Sequence, residues 1–573
     1  MKNAKVAEMF REIADFLEIQ EVGYKPRAYR RAARNVVALS EGVAEIHERG
    51  ELQEIDGVGE SIAEKIAEYL ETGEMSYYEE LKADLPIDIE AITRVEGVGP
   101  KTAKTLYLEL GVETLDDLEG AAEAGEIAQL EGFGEKSQQN VLDHIDLARA
   151  GEERLLLGRA FPVAKDVRTR LAGADPFDRV EVVGSFRRRR PTVGDIDVLA
   201  ASEEPHAAMD VFCDHEDVEE VLNRGETKAS VLASGDLRMD LRVVDAHEYG
   251  AALVYFTGSK DHNIALRNRA IDRDWKLNEY GLFDVSDVED DGDPRAGERL
   301  AGQTEEEVYA ALDLSWIPPT LREDTGEVEA AATGTLPDPA EVDDVRGDLQ
   351  VHTDFSDGTA SVAEMAAAAD ERGLEYLLVT DHGPNAPIPS RLDGDAFREQ
   401  RDAVAAVNDD PDVDVRVLQG IEAEITADGV DVPDDWLSEI DLVVAGLHGR
   451  LDDPTDRLVA AMESGVLDVL AHPSNRLINE REPLDLDWDA VMATAASEGV
   501  AVEINAQPKR LDLDWARVRE YRGDVSLVVS TDAHGTPELD YLHLGVSQAQ
   551  RGWCEPGDVL NTRPVEELLS WFG

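Results

Sequence analysis

Cys213 and Cys554 are the only thiols in 573 residues, which excludes a disulfide-stapled framework and a cysteine-rich zinc site. No apolar run reaches the ~18 residues that a membrane-spanning helix needs, so no membrane partner is expected. Positive charge is scarce as well. Lys and Arg number 55 against 124 Asp and Glu, a formal net charge of −69, and most of the cations are Arg. The acids run along the whole chain rather than collecting in a tail. Such uniform acidity suits a surface bathed in multimolar salt, where a Debye length of ~3 Å or less screens acid–acid repulsion. Net charge then reflects the solvent, and local basic clusters decide whether nucleic acid is a partner.

The length predicts roughly three to five domains. In the opening stretch, Val6, Met9, Phe10, Ile13, Phe16 and Leu17 recur at helical spacing with charges between them. This reads as an amphipathic helix of the mature fold, not a signal peptide, and predicts a cytoplasmic protein. Residues 1 to about 150 are helical in pattern and repeat an apolar residue, Gly-x-Gly and a helix: Gly57-Val58-Gly59, Gly97-Val98-Gly99 and Gly132-Phe133-Gly134. Glycines before a helix start let a phosphate approach free backbone N–H groups, so the repeats predict contact with a nucleic-acid backbone, the third copy being equally readable as structural. Lys65, one turn or more into the helix after Gly59, would lie near the Arg- and Tyr-rich stretch 24–34 if the two helices pack. A lysine among cations can act as a Schiff-base nucleophile; an ordinary surface lysine is the alternative.

Between about 155 and 255 strand patterns take over. The stretch GSFRRRRPTVGDIDVL (184–199) sets four arginines just ahead of Asp195 and Asp197. Two apart on a strand, these carboxylates face one side while Ile196 and Val198 face the other. In LRMDLRVV (237–244), Asp240 alternates with apolar residues in the same way. Three aspartates from two strands can hold two Mg²⁺ ions ~3.5–4 Å apart, activating a 3′-hydroxyl and neutralising a leaving pyrophosphate. A sheet edge decorated with acids is the other reading. The arginines then have a separate role. Gly184 and Ser185 offer donors to a triphosphate, and Arg187 or Arg188 can reach its oxygens.

Residues 316–348, rich in Pro, acids and small residues, read as a linker. Beyond it, short apolar strands alternate with helical segments about seven times, the pattern of an α/β barrel. His352, His382, His448, His472 and His534 each follow an apolar strand, beside Asp357, Glu422 and Asp532. Barrel strand ends converge on one face, and imidazole with carboxylate suits Zn²⁺, Mn²⁺ or Fe²⁺.

GSFRRRRPTVGDIDVL, RMDLRVV, YFTGSKDHNIALRNRA (255–270) and LNEYGLF (277–283) resemble the polymerase core of the family X DNA polymerases, over roughly residues 1–315. GDLQVHTDFSDG, TDH, GIEAEI, LHG, AHPS and STDAH resemble the PHP (polymerase and histidinol phosphatase) domain that follows this core in bacterial and archaeal members. The resemblance implies a multidomain α+β and α/β chain. It divides into a helical DNA-binding and lyase domain (1–85), a helix-hairpin-helix fingers-like domain (86–150), a nucleotidyltransferase palm (151–255), a nascent-base-pair-binding domain (256–315), a linker (316–345) and a PHP α/β barrel (346–573). It implies Asp195, Asp197 and Asp240 as Mg²⁺ or Mn²⁺ ligands, with Asp240 as general base. Gly184, Ser185, Arg188 and Gly194 would serve the triphosphate, Tyr255, Phe256 and Gly258 the deoxyribose, and Asn263 and Arg267 the new base pair. Lys65 matches the 5′-deoxyribose-phosphate lyase nucleophile, with Lys25 and Tyr29 as its DNA-contacting neighbours and Gly57, Gly59, Gly97 and Gly99 on the DNA backbone. In the barrel, His352, Asp357, His382, Glu422, His448, His472, Asp532 and His534 would hold three ions, while the family's opening His-x-His stands here as Gln350-Val-His352. The implied partners of a monomer are gapped or primed duplex DNA and dNTPs; the implied activities are gap filling, 3′–5′ exonuclease, abasic-site endonuclease and lyase, and the implied origin is haloarchaeal. The alternatives are a template-independent or RNA nucleotidyltransferase fused to a phosphoesterase, and a non-catalytic DNA-end scaffold.

Overall fold

The computed structural model describes residues 154–573 apart from 216, 234–236, 289–292, 387–389, 428 and 449–452, and within 1–153 it describes 25–37, 43–50, 52–55, 58–72, 75–78, 100–130 and scattered shorter stretches. The N-terminal part is helical, with helices Lys25–Val37, Glu60–Thr72, Pro100–Leu110 and Leu115–Glu123. Val6, Met9, Phe10, Ile13, Phe16 and Leu17 all enter one core with Ile62, Ile66, Val98 and Leu106, as their helical spacing predicts. Gly59 is exposed, and its carbonyl accepts from Ile62 and Ala63 N–H at 2.9 Å each, opening helix Glu60–Thr72.

The palm is a five-stranded sheet in the order Arg179–Val182, Ile196–Ala201, Leu237–Val244, Lys228–Ala233, Val218–Arg224. Ile196–Ala201 and Leu237–Val244 run parallel, and the other neighbouring pairs are antiparallel. Both sheet faces are covered, so the second strand is apolar on each side. Ile196, Val198 and Ala200 pack with helices Leu157–Ala172 and Pro205–Cys213, whereas Leu199 and Ala201 pack with Tyr249 and Ala252 of helix Tyr249–Thr257. Period-two alternation places Asp197 on the latter face.

After the palm come helix Lys260–Ile271 and a three-stranded antiparallel sheet of Trp275–Asn278, Gly281–Asp284 and Glu298–Ala301. The segment read from composition as a linker is instead packed. Ile317, Leu321, Val328 and Ala331 join the core of Leu266 and Tyr309, and Arg322 and Glu327 are fully buried. Glu327 faces inward. The Glu327 carboxylate accepts from Asp324 N–H at 2.9 Å and Thr325 N–H at 2.7 Å, and it lies 2.6 Å from His262 Nδ1.

The C-terminal part is a barrel of parallel strands: Gly347–Val351, Tyr376–Val379, Arg416–Thr426, Leu442–Gly446, Val469–Leu470, Ala501–Asn505 and Leu527–Ser530, in that order. A parallel bridge between Val351 and Ala533 draws the two edges together. The barrel docks on the palm and on the region that follows it. Leu511 and Leu544 belong to the palm core and Trp553 to the core that follows it. Gly158 lies so close to Pro508 that a Cβ would meet its Cγ at 2.5 Å. Among the described residues, no helix is long and apolar enough to cross a membrane.

Candidate active sites

In the palm, Asp197 and Asp240 are register partners on the parallel pair, and Asp195 stands one residue before the first of these strands. Burial and then the neighbouring Asp240 raise Asp195 above the ordinary carboxylate range. Burial, Asp195 and Asp240 together raise Asp197 to about 7. Clustered carboxylates that resist ionising together are what a divalent cation relieves. Asp240 is held from both sides: Arg238 Nε and Nη2 donate to it at 2.9 and 3.2 Å, and Lys228 Nζ lies 3.5 Å away. Gly184, at φ 65°, abuts the cluster, because a Cβ there would come 2.6 Å from Asp197 Oδ2. A recess lined by Val183, Asp197, Lys228, Asp240, Arg242 and Phe256 opens beside them.

The arginine run divides its work. Arg187 pairs with Glu305 through two 2.8 Å hydrogen bonds and donates to Thr257 Oγ1 at 2.7 Å. Arg188 donates to the Thr257 carbonyl and, at 3.2 Å, to Glu323. Arg189 lies over Phe161 at 4.7 Å, and Arg190 is 3.7 Å from Glu323. Ser185 sits in the short helix Gly184–Arg187, and Gly194 lies against Arg154, whose Nη1 would be 3.3 Å from an added Cβ. Tyr255 and Phe256, 5.1 Å apart edge-to-face, end helix Tyr249–Thr257, and Arg242 covers the Phe256 ring at 5.1 Å. Gly258 then turns at φ 68°, close enough that a Cβ would sit 3.0 Å from Arg188 Nη1. Asn263 Nδ2 donates to the Tyr255 carbonyl at 2.7 Å, and Arg267 Nε to the Asn263 carbonyl at 3.3 Å.

In the helical part, Gly57, Gly97 and Gly99 lie outside the described residues. Lys65 Nζ donates to Ser61 O at 3.0 Å and Ser61 Oγ at 3.1 Å and lies 4.7 Å from the Tyr77 ring centroid. Burial lowers its pKa. Lys25 is exposed. Tyr29 is not a surface contact: it is buried between Phe10 and Tyr77, ring centroids 5.5 and 6.2 Å away, and burial raises its phenol. Sited on helix Lys25–Val37, its ring packs into the N-terminal core.

The barrel gathers all eight expected groups at the strand ends. His352 Nε2 is 3.2 Å from Asp532 and 3.4 Å from Glu422. His382 Nδ1 is 3.1 Å from Glu422 and its Nε2 3.7 Å from Asp357. Glu422 also faces His472 at 3.0 Å and His448 at 3.5 Å, and Asp357 faces His534 at 3.5 Å. Both ring nitrogens of fully buried His352, and Nδ1 of His382 and His472, lack a hydrogen-bond partner. Imidazole nitrogens crowded by carboxylates without hydrogen-bonding them suit shared divalent cations, and the mixed N/O donor set accepts Zn²⁺, Mn²⁺ or Fe²⁺. Burial opposes charge on Asp357, yet His534, His352 and His382 hold it at about 2. Burial likewise opposes a charged His448, but Glu422 and Glu424 raise it to about 10. Gln350 is fully buried, with neither amide atom hydrogen-bonded.

Sequence reasoning passed over several partners. Glu424 orients His448, 2.6 Å from its Nδ1; it stands two residues after Glu422 on one strand, so the period-two rule could have found it. Asp381 accepts from Thr353 N–H at 2.8 Å and Gln400 Nε2 at 2.6 Å, fixing the turn after His352. Asn505 Nδ2 donates to Asp532 at 3.1 Å. Arg238, in the quoted strand RMDLRVV, was readable as the cation beside Asp240.

Family comparisons follow this division. A helix-hairpin-helix domain matches residues 1–75, a SAM-like helix-hairpin-helix tandem 49–111 and 89–146, the DNA polymerase beta thumb 252–323, and the PHP domain 348–507. The chain is 32% identical over 581 residues to the DNA polymerase/3′-5′ exonuclease PolX of Bacillus subtilis, covering 100% of this chain and 99% of that one. DNA polymerase lambda of Rattus norvegicus is 25% identical over 340 residues, 56% of each chain. A probable phosphatase of Shewanella sediminis is 35% identical over 256 residues, 39% of this chain and 92% of its own.

Proposed function

The chain belongs to the PolX family of family X DNA polymerases, and from that premise we propose that its palm fills short gaps in duplex DNA during repair while its barrel trims 3′ ends. It is a nucleotidyltransferase with a 3′–5′ exonuclease. The observation that carries the reading is the pair of acid-rich clusters, one of three aspartates on the palm and one of histidines and carboxylates in the barrel, in a chain matched to PolX along its whole length.

In the palm, Asp195, Asp197 and Asp240 would hold Mg²⁺ or Mn²⁺, and in the barrel His352, Asp357, His382, Glu422, His448, His472, Asp532 and His534 would hold Zn²⁺, Mn²⁺ or Fe²⁺; bound there, such ions supply Lewis-acid activation at phosphorus and at its attacking oxygen. The protein's own groups do the rest. Asp240 Oδ, paired with Arg238 and Lys228, takes the proton of the primer 3′-hydroxyl. Ser185 and Arg188 donate to the triphosphate, Tyr255, Phe256 and Gly258 shape the space for the deoxyribose, and Asn263 and Arg267 face the new base pair. The helix-hairpin-helix repeats grip the DNA backbone without reading sequence. Lys65, partly desolvated, attacks the C1′ aldehyde of a 5′-deoxyribose phosphate, and the barrel also cuts at abasic sites. The protein works as a monomer in the cytoplasm of a salt-rich cell.

A one-nucleotide gapped duplex with Mg²⁺ or Mn²⁺, followed for both primer extension and primer shortening, tests the reading. Both products are expected from the purified chain. A preparation that yields neither sinks it.

A further inference from the structure

Arg551 ends helix Leu542–Arg551 on the barrel side of the molecule and is 1% exposed. Its Nη1 donates to the Arg188 carbonyl at 2.6 Å and to Glu323 Oε1 at 3.0 Å, and its guanidinium lies 4.9 Å from the Trp515 ring centroid. Glu323 also receives Arg188 Nε at 3.2 Å and faces Arg190 Nη1 at 3.7 Å. One largely buried carboxylate therefore serves three guanidiniums, two from the loop after Gly184–Arg187 and one from the barrel. Burial opposes its charge, but Arg551, Arg190 and Arg188 hold its pKa below the usual carboxylate range. The joint carries one negative charge against three positive ones, and this cationic surplus stands beside the Arg188 fork.

We propose that Arg551, a residue of the barrel, is a positioning residue for nucleotide binding in the palm. By sharing Glu323 it limits how far that carboxylate captures Arg188, and by holding the Arg188 carbonyl it fixes where the loop presents the side chain. Without Arg551, Glu323 loses a donor and turns more fully to Arg188, while the loop loses its anchor. Both changes withdraw N–H groups from an incoming triphosphate. Neither touches the aspartates, so affinity falls and the chemical step does not. The inference rests on the reading of the palm as the nucleotide site.

Steady-state gap filling by the full chain with a varied dNTP tests it, with exonuclease activity of the same preparation as the measure of folding. Arg551→Met, which keeps bulk and removes charge, is expected to raise KM about five-fold, the scale of one charge-assisted hydrogen bond partly lost, with kcat within about two-fold. Arg551→Lys restores most of the KM, because an ammonium can still donate to both oxygens. Glu323→Gln lowers KM, and in that background Arg551→Met adds little. Unchanged KM in an Arg551→Met chain with full exonuclease overturns the inference, as does a loss confined to kcat. Should Arg551→Met lose exonuclease as well, the other two variants decide: a raised KM in Glu323→Gln overturns the inference, and a lowered one with near-native Arg551→Lys supports it. A wild-type chain that incorporates no nucleotide overturns the palm reading itself, whereas normal wild-type incorporation with an indifferent Arg551→Met overturns this inference alone.

Discussion

Asp197 and Asp240 stand side by side as register partners on parallel strands, with Asp195 beside them, and Asp240 raises the cost of charge on both Asp195 and Asp197. Such a cluster is stable in the ionised form when cations share it. Replacing Asp195 and Asp197 by Ala removes two of the three aspartates proposed to hold metal, and with transition-state stabilisation of several kcal/mol lost, gap filling is expected to fall by about a thousand-fold or more. Exonuclease activity is expected to persist, since the barrel keeps the groups proposed for its own metals. Loss of both activities in this variant means one shared site or a disrupted fold.

The reverse experiment addresses the barrel. His352 touches both Asp532 and Glu422, so His352→Ala with Asp532→Ala opens the centre of the cluster. Exonuclease is expected to disappear and gap filling to remain. Elemental analysis of the purified variant should show less bound transition metal than the wild type. Persistent exonuclease would refute the barrel site.

Glu305 is expected to make stability sensitive to acid. Burial would raise the Glu305 pKa, but Arg322 and Arg187 outweigh it and hold the group at about 2, against an ordinary 4.5. A depressed folded pKa stabilises the protein above the unfolded value, and that contribution is lost as pH falls from about 4.5 toward 2. Its size is on the order of 3 kcal/mol. Glu305→Gln is expected to lower stability at neutral pH and to flatten the pH dependence in that window. An acid-unfolding curve parallel to that of the wild type would exclude Glu305 as the source.

Much of this was legible in local pattern. Helical spacing marked the N-terminal core residues, Asp-x-Asp spacing put two acids on one strand face, and histidines following apolar runs marked the mouth of the barrel. What local pattern left out shares a cause. The partners of Arg187 and Arg188, Glu305 and Glu323, lie 118 and 135 residues further along, so no local pattern could show that Arg187 fastens the palm to helix Glu305–Ala311. Pro and acids in 316–348 suggested a linker because composition cannot say whether Glu327 faces water or His262. Tyr29 stood among cations in sequence, but on its helix it faces the core.

Lys65 offers a covalent test. Burial partly desolvates its ammonium, which favours a neutral amine at lower pH than for a free lysine. Borohydride reduction in the presence of a 5′-deoxyribose-phosphate duplex is expected to leave a covalent adduct on the native chain and none on Lys65→Ala. An equal adduct on both proteins would move the nucleophile elsewhere.

Salt separates two kinds of electrostatics in this chain. The surplus of acids, −69 in formal charge, repels over a Debye length of ~30 Å at 0.01 M salt but only ~3 Å at 1 M. Buried pairs such as Arg322–Glu305, 2.6 Å apart, are screened far less. Stability is therefore expected to rise steeply with KCl into the molar range, while the loss caused by Glu305→Gln stays nearly constant across the series. Thermal unfolding of both proteins over that series measures each part. A wild-type chain fully folded in dilute buffer, with a flat salt dependence, would show that its acidity is not an adaptation to concentrated salt.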